Sequence, residues 1–296
     1  MFSPEFEYYR AASIAEATNL LASKPGAKLL AGGHSLIPLL KLRLAAPPAV
    51  IDIGRIAELK GVTVSGGIVR IGALTTHAEL AASSLIRDHS PALAEAARQI
   101  GDPAVRNRGT IGGNVAHADP ASDLPTVLTA LGARLTIVGT GGSKTVDTAS
   151  FFTGMMTTSL GETDMLTAIE VPVRADGQGM AYVKFSHPAS RYAVIGVAAV
   201  INATGANGGT CTAAAVALGG LVPSPTRASQ VEGALSGQAL TTDTIGRAAN
   251  RVVDDLGRDV LGDLFASAEY RKAVAPVWVR RALTAAHRNL QFAIHN

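Results

Sequence analysis

Two glycine pairs are the residues of this sequence best suited to chemistry. The first, Gly32-Gly33, follows the apolar run Lys28-Leu29-Leu30-Ala31 and precedes His34, Ser35 and the apolar stretch Leu36 to Leu40. A strand, a glycine turn and a helix start in that order can hold an anion. Glycine permits positive φ and close backbone approach, and successive N–H groups converge on one point. A plain strand-to-helix turn uses Gly-Gly for steric reasons too. The second pair, Gly112-Gly113, lies in the segment Val105 to Pro125, crowded with Gly, Asn, Asp and Thr. A stretch of roughly twenty residues without clear periodicity is functional or disordered, and this composition favours an ordered ligand loop. Thr110 and Asn114 offer donors to phosphate oxygens, the Gly112-Gly113 backbone allows close approach, and Asp123 can accept from sugar hydroxyls. Two such turns in one chain would clamp a single diphosphate ligand between them.

Other chemistries lack machinery. Cys211 is the only cysteine, which excludes an internal disulfide, a Cys-ligated iron–sulfur cluster and a Cys-rich zinc site on this chain. Seven histidines are present, none at a helical metal spacing. His77, His89, His187, His287 and His295 are scattered and read as structural or surface residues, while His34 and His117 lie in the glycine-rich segments. No Ser-His-Asp or Cys-His arrangement is visible, and Gly-x-Ser-x-Gly is absent. Gly139 to Thr145 imitates a P-loop, but Ser143 stands where that motif needs glycine before Lys144, so a hairpin turn is expected. No Gly-x-Gly-x-x-Gly follows a strand, which leaves a Rossmann site without support. No catalytic residue and no metal ligand is assigned.

The elements that must position the loops are legible from punctuation. Ser13 and Glu16 form a capping box for a helix carrying Ile14, Ala17 and Leu21 on one face, stopped by Pro25-Gly26. Val50 to Ile53 reads as a strand, and Val62 to Val64 with Ile68 to Ile71 as a hairpin about Ser65-Gly66-Gly67. Thr76 and Glu79 form a second capping box. Ser90-Pro91 starts a helix that should end near Gly101. A polar linker at 174–179 marks a domain boundary. Beyond it, Met180 to Ser186, Tyr192 to Ile201 and Cys211 to Leu218 read as strands, the first two joined by a protruding loop at 187–191. Helices are expected over Thr226 to Leu235, Thr242 to about Leu256, and Pro276 to about Arg288. The basic residues near the end, Arg271, Lys272, Arg280, Arg281 and Arg288, read as a solvated face.

Size and composition agree with this reading. The 296 residues suffice for two or three domains; 47% hydrophobic and 17% charged residues with 31 glycines describe a globular, loop-rich chain and exclude a disordered one. A net charge of +3 argues weakly for nucleic-acid binding, and none is expected. The start lacks a signal-peptide core, and the most apolar window, Ala193 to Ala203, is too short to span a bilayer. Without a secretory signal, the glycosylation pattern at Asn202 carries no weight. A cytoplasmic location is the expectation.

With both loops in view, the chain resembles the FAD-binding medium subunit of the molybdenum hydroxylases, the family of aerobic carbon monoxide, xanthine and nicotine dehydrogenases. The resemblance is carried by Ala31-Gly-Gly-His-Ser35, Thr110-Ile-Gly-Gly-Asn114 and Asp119-Pro-Ala-Ser-Asp123-Leu-Pro125. It continues in Ala181-Tyr-Val-Lys184-Phe, Ser190-Arg-Tyr192-Ala-Val, Pro223-Ser-Pro-Thr226-Arg227-Ala and Tyr270-Arg-Lys, in order along nearly the whole chain.

The resemblance implies an α+β protein. Two small α/β subdomains, about 1–58 and 59–177, form an FAD-binding PCMH-type domain, and 178–296 form an α+β C-terminal domain with an antiparallel sheet and helices. It implies that Leu30, Ala31, Gly32, Gly33, His34, Ser35 and Leu36 hold the FAD diphosphate, met from the other side by Thr110, Ile111, Gly113 and Asn114. His117 falls in the second motif without an assigned role. Asp123 matches the contact to the adenosine part, Leu166 and Lys184 match positions near the flavin ring, and Tyr192 matches a tyrosine that covers one ring face. Molybdopterin-molybdenum and two [2Fe–2S] clusters would sit on separate large and small subunits, in an assembly commonly a dimer of heterotrimers. Electrons would pass from the clusters through FAD to an external acceptor. Two other readings are open: a stand-alone oxidase or dehydrogenase of the vanillyl-alcohol-oxidase type, and a flavin-binding scaffold without turnover. The tail after residue 178 is small for the substrate domain the former needs.

Overall fold

The computed structural model describes residues 2–204 and 209–295, arranged around three main sheets. The first is parallel and small. It comprises β1 (Glu7–Arg10), β2 (Lys28–Leu30) and β3 (Ala49–Asp52) in the order β1-β3-β2, crossed by α1 (Ile14–Ser23) and α2 (Leu36–Lys41). The Ser13 hydroxyl caps α1 by accepting from Glu16 N at 3.1 Å, while the Glu16 carboxylate reaches back to Ala12 N at 2.8 Å, one residue further than a capping box requires. Ala17 and Leu21 then pack on Ile51 and Ile53, as the apolar spacing of α1 dictates.

The second sheet is antiparallel and five-stranded. Its strands are β4 (Val62–Ser65), β5 (Ile68–Gly72), β6 (Arg134–Gly139), β7 (Gly142–Asp147) and β10 (Met165–Pro172), in the order β4-β5-β10-β6-β7. The P-loop imitation is the turn of the β6–β7 hairpin, with Gly139 opposite Gly142. Between β5 and β6 the chain is helical: α3 (His77–Ala82), α4 (Ser84–His89), α5 (Pro91–Gln99), α6 (Pro103–Arg106), α7 (Ile111–His117) and α8 (Asp123–Ala130). After β7 come α9 (Thr148–Phe151) and the small pair β8 (Phe152–Gly154) and β9 (Thr157–Thr158). Thr76 and Glu79 form the expected capping box at α3.

The segment 105–125 is not the irregular loop its composition suggests. Thr110 caps α7, and Ile111 and Val115 bury their side chains in the core, so a glycine-rich run is held helical by its cap and two apolar anchors. Tertiary packing overrides low helix propensity here.

The third sheet contains β11 (Gln178–Ser186), β12 (Ala193–Thr204), β13 (Thr210–Gly219) and β14 (Thr226–Arg227), antiparallel and in chain order. It is followed by α10 (Ser229–Leu235), α11 (Thr242–Asn250), α12 (Val252–Asp255) and α13 (Ala268–His295). Thr226 and Arg227 pair with Leu218 and Ala217 instead of starting a helix. Pro276 lies inside α13, which begins eight residues earlier behind Ser267, whose hydroxyl accepts from Tyr270 N. Arg271 is not on a solvated face. It is 5% exposed and pairs with Asp263.

Both faces of the third sheet are covered, with the two-residue period of strands. Met180 and Tyr182 of β11, with Ala198 and Val200 of β12, join the core beneath α5 and α8. Ala181, Val197, Ala199 and Ile201 face the other way, into the core formed with α10, α11 and α13. Two glycines make these approaches possible: a Cβ on Gly179 would lie 2.1 Å from the Ala286 carbonyl oxygen, and one on Gly219 would lie 2.0 Å from Thr126 Oγ1.

Candidate functional site

The two glycine pairs converge. β2 ends at Leu30, and the chain turns through Ala31 and Gly32 to Gly33, which has φ +75°. A Cβ on Gly32 would fall 2.0 Å from the Arg108 carbonyl oxygen and 3.0 Å from Gly109 Cα, so the first turn lies directly on the backbone leading into α7. A Cβ on Gly113 would meet Thr110 Oγ1 at 2.9 Å and lie 3.8 Å from Ala31 Cβ. Among the described residues, no acceptor meets the backbone N–H groups of Gly32, Gly33, His34, Ser35 or Leu36, and the Ser35 side chain makes no cap bond. Five consecutive unpaired donors on a turn that only glycine can follow form an anion cradle.

The second motif contributes differently. Its first-turn amides are already spent: Ile111 N donates to Thr75 O at 3.0 Å, Gly112 N to Ala73 O at 2.8 Å, and Gly113 N to Thr110 Oγ1 at 3.2 Å. What it can offer a ligand is the Thr110 hydroxyl proton and the Asn114 side chain. Asn114 Nδ2 donates to Ser122 Oγ at 2.9 Å, and its Oδ1 is buried with no partner among the described residues. The Ile111 side chain belongs to the core, so only its backbone borders the cradle.

Beneath the cradle lies His77, one of the histidines that sequence reasoning set aside. It is 4% exposed, its backbone N–H donates to Gly109 O at 3.0 Å, and its ring Nδ1 has no partner among the described residues. Burial, with the nearby His34 adding to it, lowers its pKa to about 4, so the ring is neutral. His34 is exposed, with Nδ1 3.2 Å from Gly32 O. His117 sits half-buried at the end of α7, ahead of Ala118 in the left-handed region.

Asp123 and Lys184 meet each other. The Lys184 Nζ donates to Asp123 Oδ2 at 2.9 Å and to Gln99 O at 3.1 Å, while Tyr182 Oη donates to Asp123 Oδ1 at 2.5 Å. Burial pushes the Asp123 carboxyl up, opposed by the Lys184 charge and the Tyr182 hydrogen bond; burial and the Asp123 charge push the Tyr182 phenol up. Tyr182 was missed in the sequence, although it shares the inward parity of Lys184 on β11. Leu166 is buried in β10 at an irregularity of its pairing with β6.

Tyr192 stands apart from the cradle, half-exposed on the wall of a cavity of about 500 Å³ shared with Asp119, Met155, His187, Asp263 and Arg271. Burial, with Asp119 and Asp123 adding their charge, raises its phenol pKa. Arg271 anchors the far wall, donating to Val194 O and Gly220 O and to Asp263 Oδ2.

The comparison with known proteins decides what kind of cradle this is. Residues 4–174 match the FAD binding domain in molybdopterin dehydrogenase, and residues 180–286 match the CO dehydrogenase flavoprotein C-terminal domain. The chain belongs to the FAD-binding medium subunits of the molybdenum hydroxylases. It is 40% identical to the carbon monoxide dehydrogenase medium chain of Hydrogenophaga pseudoflava, over 97% of this chain and 98% of that one. It is 39% identical to the glyceraldehyde dehydrogenase medium chain of Sulfolobus acidocaldarius, over 95% and 98%. A solved structure of the Hydrogenophaga pseudoflava enzyme, lacking the Mo-pyranopterin moiety of its molybdenum cofactor, superposes with a TM-score of 0.93 over 98% of this chain and 99% of that one, at 41% identity.

As a medium subunit, the chain is a flavoprotein component of an oxidoreductase. The residues present fit FAD. The row of unpaired amides from Gly32 to Leu36 suits a diphosphate, and a Cβ at Gly32 would collide with the Arg108 carbonyl and push the two turns apart. The Asn114 Oδ1, buried without a partner among the described residues, can accept from a ligand hydroxyl. No helix among the described residues is long and apolar enough to cross a membrane.

Proposed function

We propose that this chain is the electron outlet of a three-subunit molybdenum hydroxylase, and that its two glycine turns clamp the FAD diphosphate. The observation that carries the reading is the contact of Gly32 with Arg108–Gly109 beside five unpaired amides, which makes one anion site from two motifs about 78 positions apart in sequence. Leu30 to Leu36 bind from one side and Thr110, Ile111, Gly113 and Asn114 from the other, with His34 and His117 bordering the site. Tyr192, on its loop between β11 and β12, faces the flavin end; Leu166 and the Lys184 of the buried pair lie nearer the flavin than the diphosphate.

When bound, FAD would supply two-electron redox chemistry, linking the [2Fe–2S] clusters of a small subunit, downstream of substrate hydroxylation at the molybdopterin centre of a large one, to an external acceptor. This chain's residues bind, orient and shield; none acts as acid or base. The buried Asp123–Lys184 pair ties the α8 start to β11, with Asp123 on the adenosine side of the ligand. The domains are 1–177 for FAD and 178–296 for the C-terminal unit, the complex is a dimer of heterotrimers, and it is cytoplasmic.

Affinity purification of the tagged chain from its source tests this reading. Two further polypeptides carrying iron and molybdenum are expected to co-purify, with releasable FAD on this chain. Recovery of the chain alone, without iron or molybdenum, contradicts it.

A further inference from the structure

The loop at 187–191 is short, exposed, and carries Tyr192 to the cavity wall. It is closed at both ends of the backbone: His187 N donates to Tyr192 O at 2.8 Å, and Arg191 N donates to His187 O at 2.9 Å. Arg191 is held at φ +60°, a conformation that disfavours a residue with a Cβ. The main organiser inside the loop is the His187 ring. Its Nδ1 accepts from Ala189 N at 3.2 Å and from Ser190 N at 3.3 Å, the place an Asx side chain takes in a tight turn. The Ser190 hydroxyl in turn accepts from Tyr192 N at 3.3 Å.

The ring itself is fixed from outside the loop. It meets Phe265 edge-on, at a centroid distance of 4.7 Å. Phe265 is held in its turn: its N–H and that of Ala266 donate to Asp263 Oδ1, and the other Asp263 oxygen pairs with buried Arg271. A chain of contacts therefore runs from Arg271 through Asp263 and Phe265 to His187, and from His187 to the backbone that ends in Tyr192.

We infer that His187 is the positioning residue of Tyr192: its imidazole, with Nδ1 as acceptor, folds the 187–191 loop so that the tyrosine ring is presented toward the flavin. The inference rests on the reading that Tyr192 lies against the flavin. It assigns a role to a histidine that touches neither the cradle nor the diphosphate. With Nδ1 accepting from two amides, a ring proton sits on Nε2.

The test uses the FAD-loaded complex and two readouts other than turnover. A tyrosine packed on the flavin ring quenches its emission, so Tyr192→Ala is expected to raise flavin fluorescence severalfold. His187→Ala is expected to raise it as well, and His187→Asn, whose carboxamide oxygen accepts the same amides, to stay near the parent. Amide exchange at Ala189 and Ser190 should speed up about tenfold in His187→Ala, the size of one ordinary hydrogen bond, and not in His187→Asn. Parent-like emission or parent-like exchange in His187→Ala overturns the inference, as does failure of asparagine to rescue. Parent-like emission in Tyr192→Ala removes the Tyr192 reading itself, a failure the exchange data separate from that of His187.

Discussion

Lys184 Nζ lies 2.9 Å from Asp123 Oδ2, with the two side chains 1% and 6% exposed. The pair links the first turn of α8 to the central part of β11, and Tyr182 closes the carboxylate's other oxygen. An ion pair this buried contributes little net stability as a pair, but either half alone is an uncompensated charge. Lys184→Met should therefore destabilise the chain by about 3–5 kcal/mol. Lys184→Met with Asp123→Asn should recover most of the loss. Thermal unfolding of the four proteins in a double-mutant cycle measures this, and additive losses would contradict the pairing.

Gly32→Ala addresses the cradle. Its Cβ would meet the Arg108 carbonyl oxygen at 2.0 Å, a backbone atom that has nowhere to retreat. Overpacking of this kind costs about 1–3 kcal/mol, and because the turn itself must shift, FAD affinity should fall by about tenfold or more. Equilibrium titration with FAD, alongside far-ultraviolet circular dichroism to confirm the fold, provides the check.

His77 predicts a pH dependence. Its folded-state pKa is about 4 against an ordinary 6.5, so the unfolded chain binds the proton more tightly. The stability it contributes is complete above pH 6.5 and is lost as pH falls toward 4, about 3 kcal/mol in all. His77→Gln, which cannot take a proton, should flatten the fall in unfolding free energy over that window relative to the parent. Denaturant melts at a series of pH values measure the two slopes.

Arg271 should govern the far cavity wall. Arg271→Met leaves the carbonyls of Val194 and Gly220 without this donor and releases Asp263. A loss of about 3 kcal/mol is expected from the buried carbonyls. Limited proteolysis should then cut within residues 257–267, and melting should report the stability.

Much of this was legible in the sequence because it is local. The Ser13 N-cap, the capping box at Thr76, the hairpin at Ser65-Gly66-Gly67, the Gly139 to Thr145 turn and both glycine pairs are spelled out within a few residues each. What stayed hidden is non-local. Asp123 and Lys184 are 61 positions apart, and neither local motif announces the other; their mutual pairing appears only when β11 packs on α8. The parity of Met180, Tyr182 and Lys184 on one strand face was the available signal. The helix α7 escaped because Gly112 is there for contact with Ala73, which a propensity reading counts against a helix. Pro276 misled for a related reason: packing of α13 on the third sheet carries the helix through a residue that commonly starts one.

The central claim is that the facing glycine turns bind FAD, and a direct titration of the full chain, stripped of cofactor, tests it most simply. The account predicts saturation at one FAD per chain, with a flavin absorption spectrum that is retained on gel filtration and released on denaturation. A chain that stays colourless after incubation with excess FAD, while its circular dichroism shows it folded, would contradict the account and return both glycine pairs to plain structural turns.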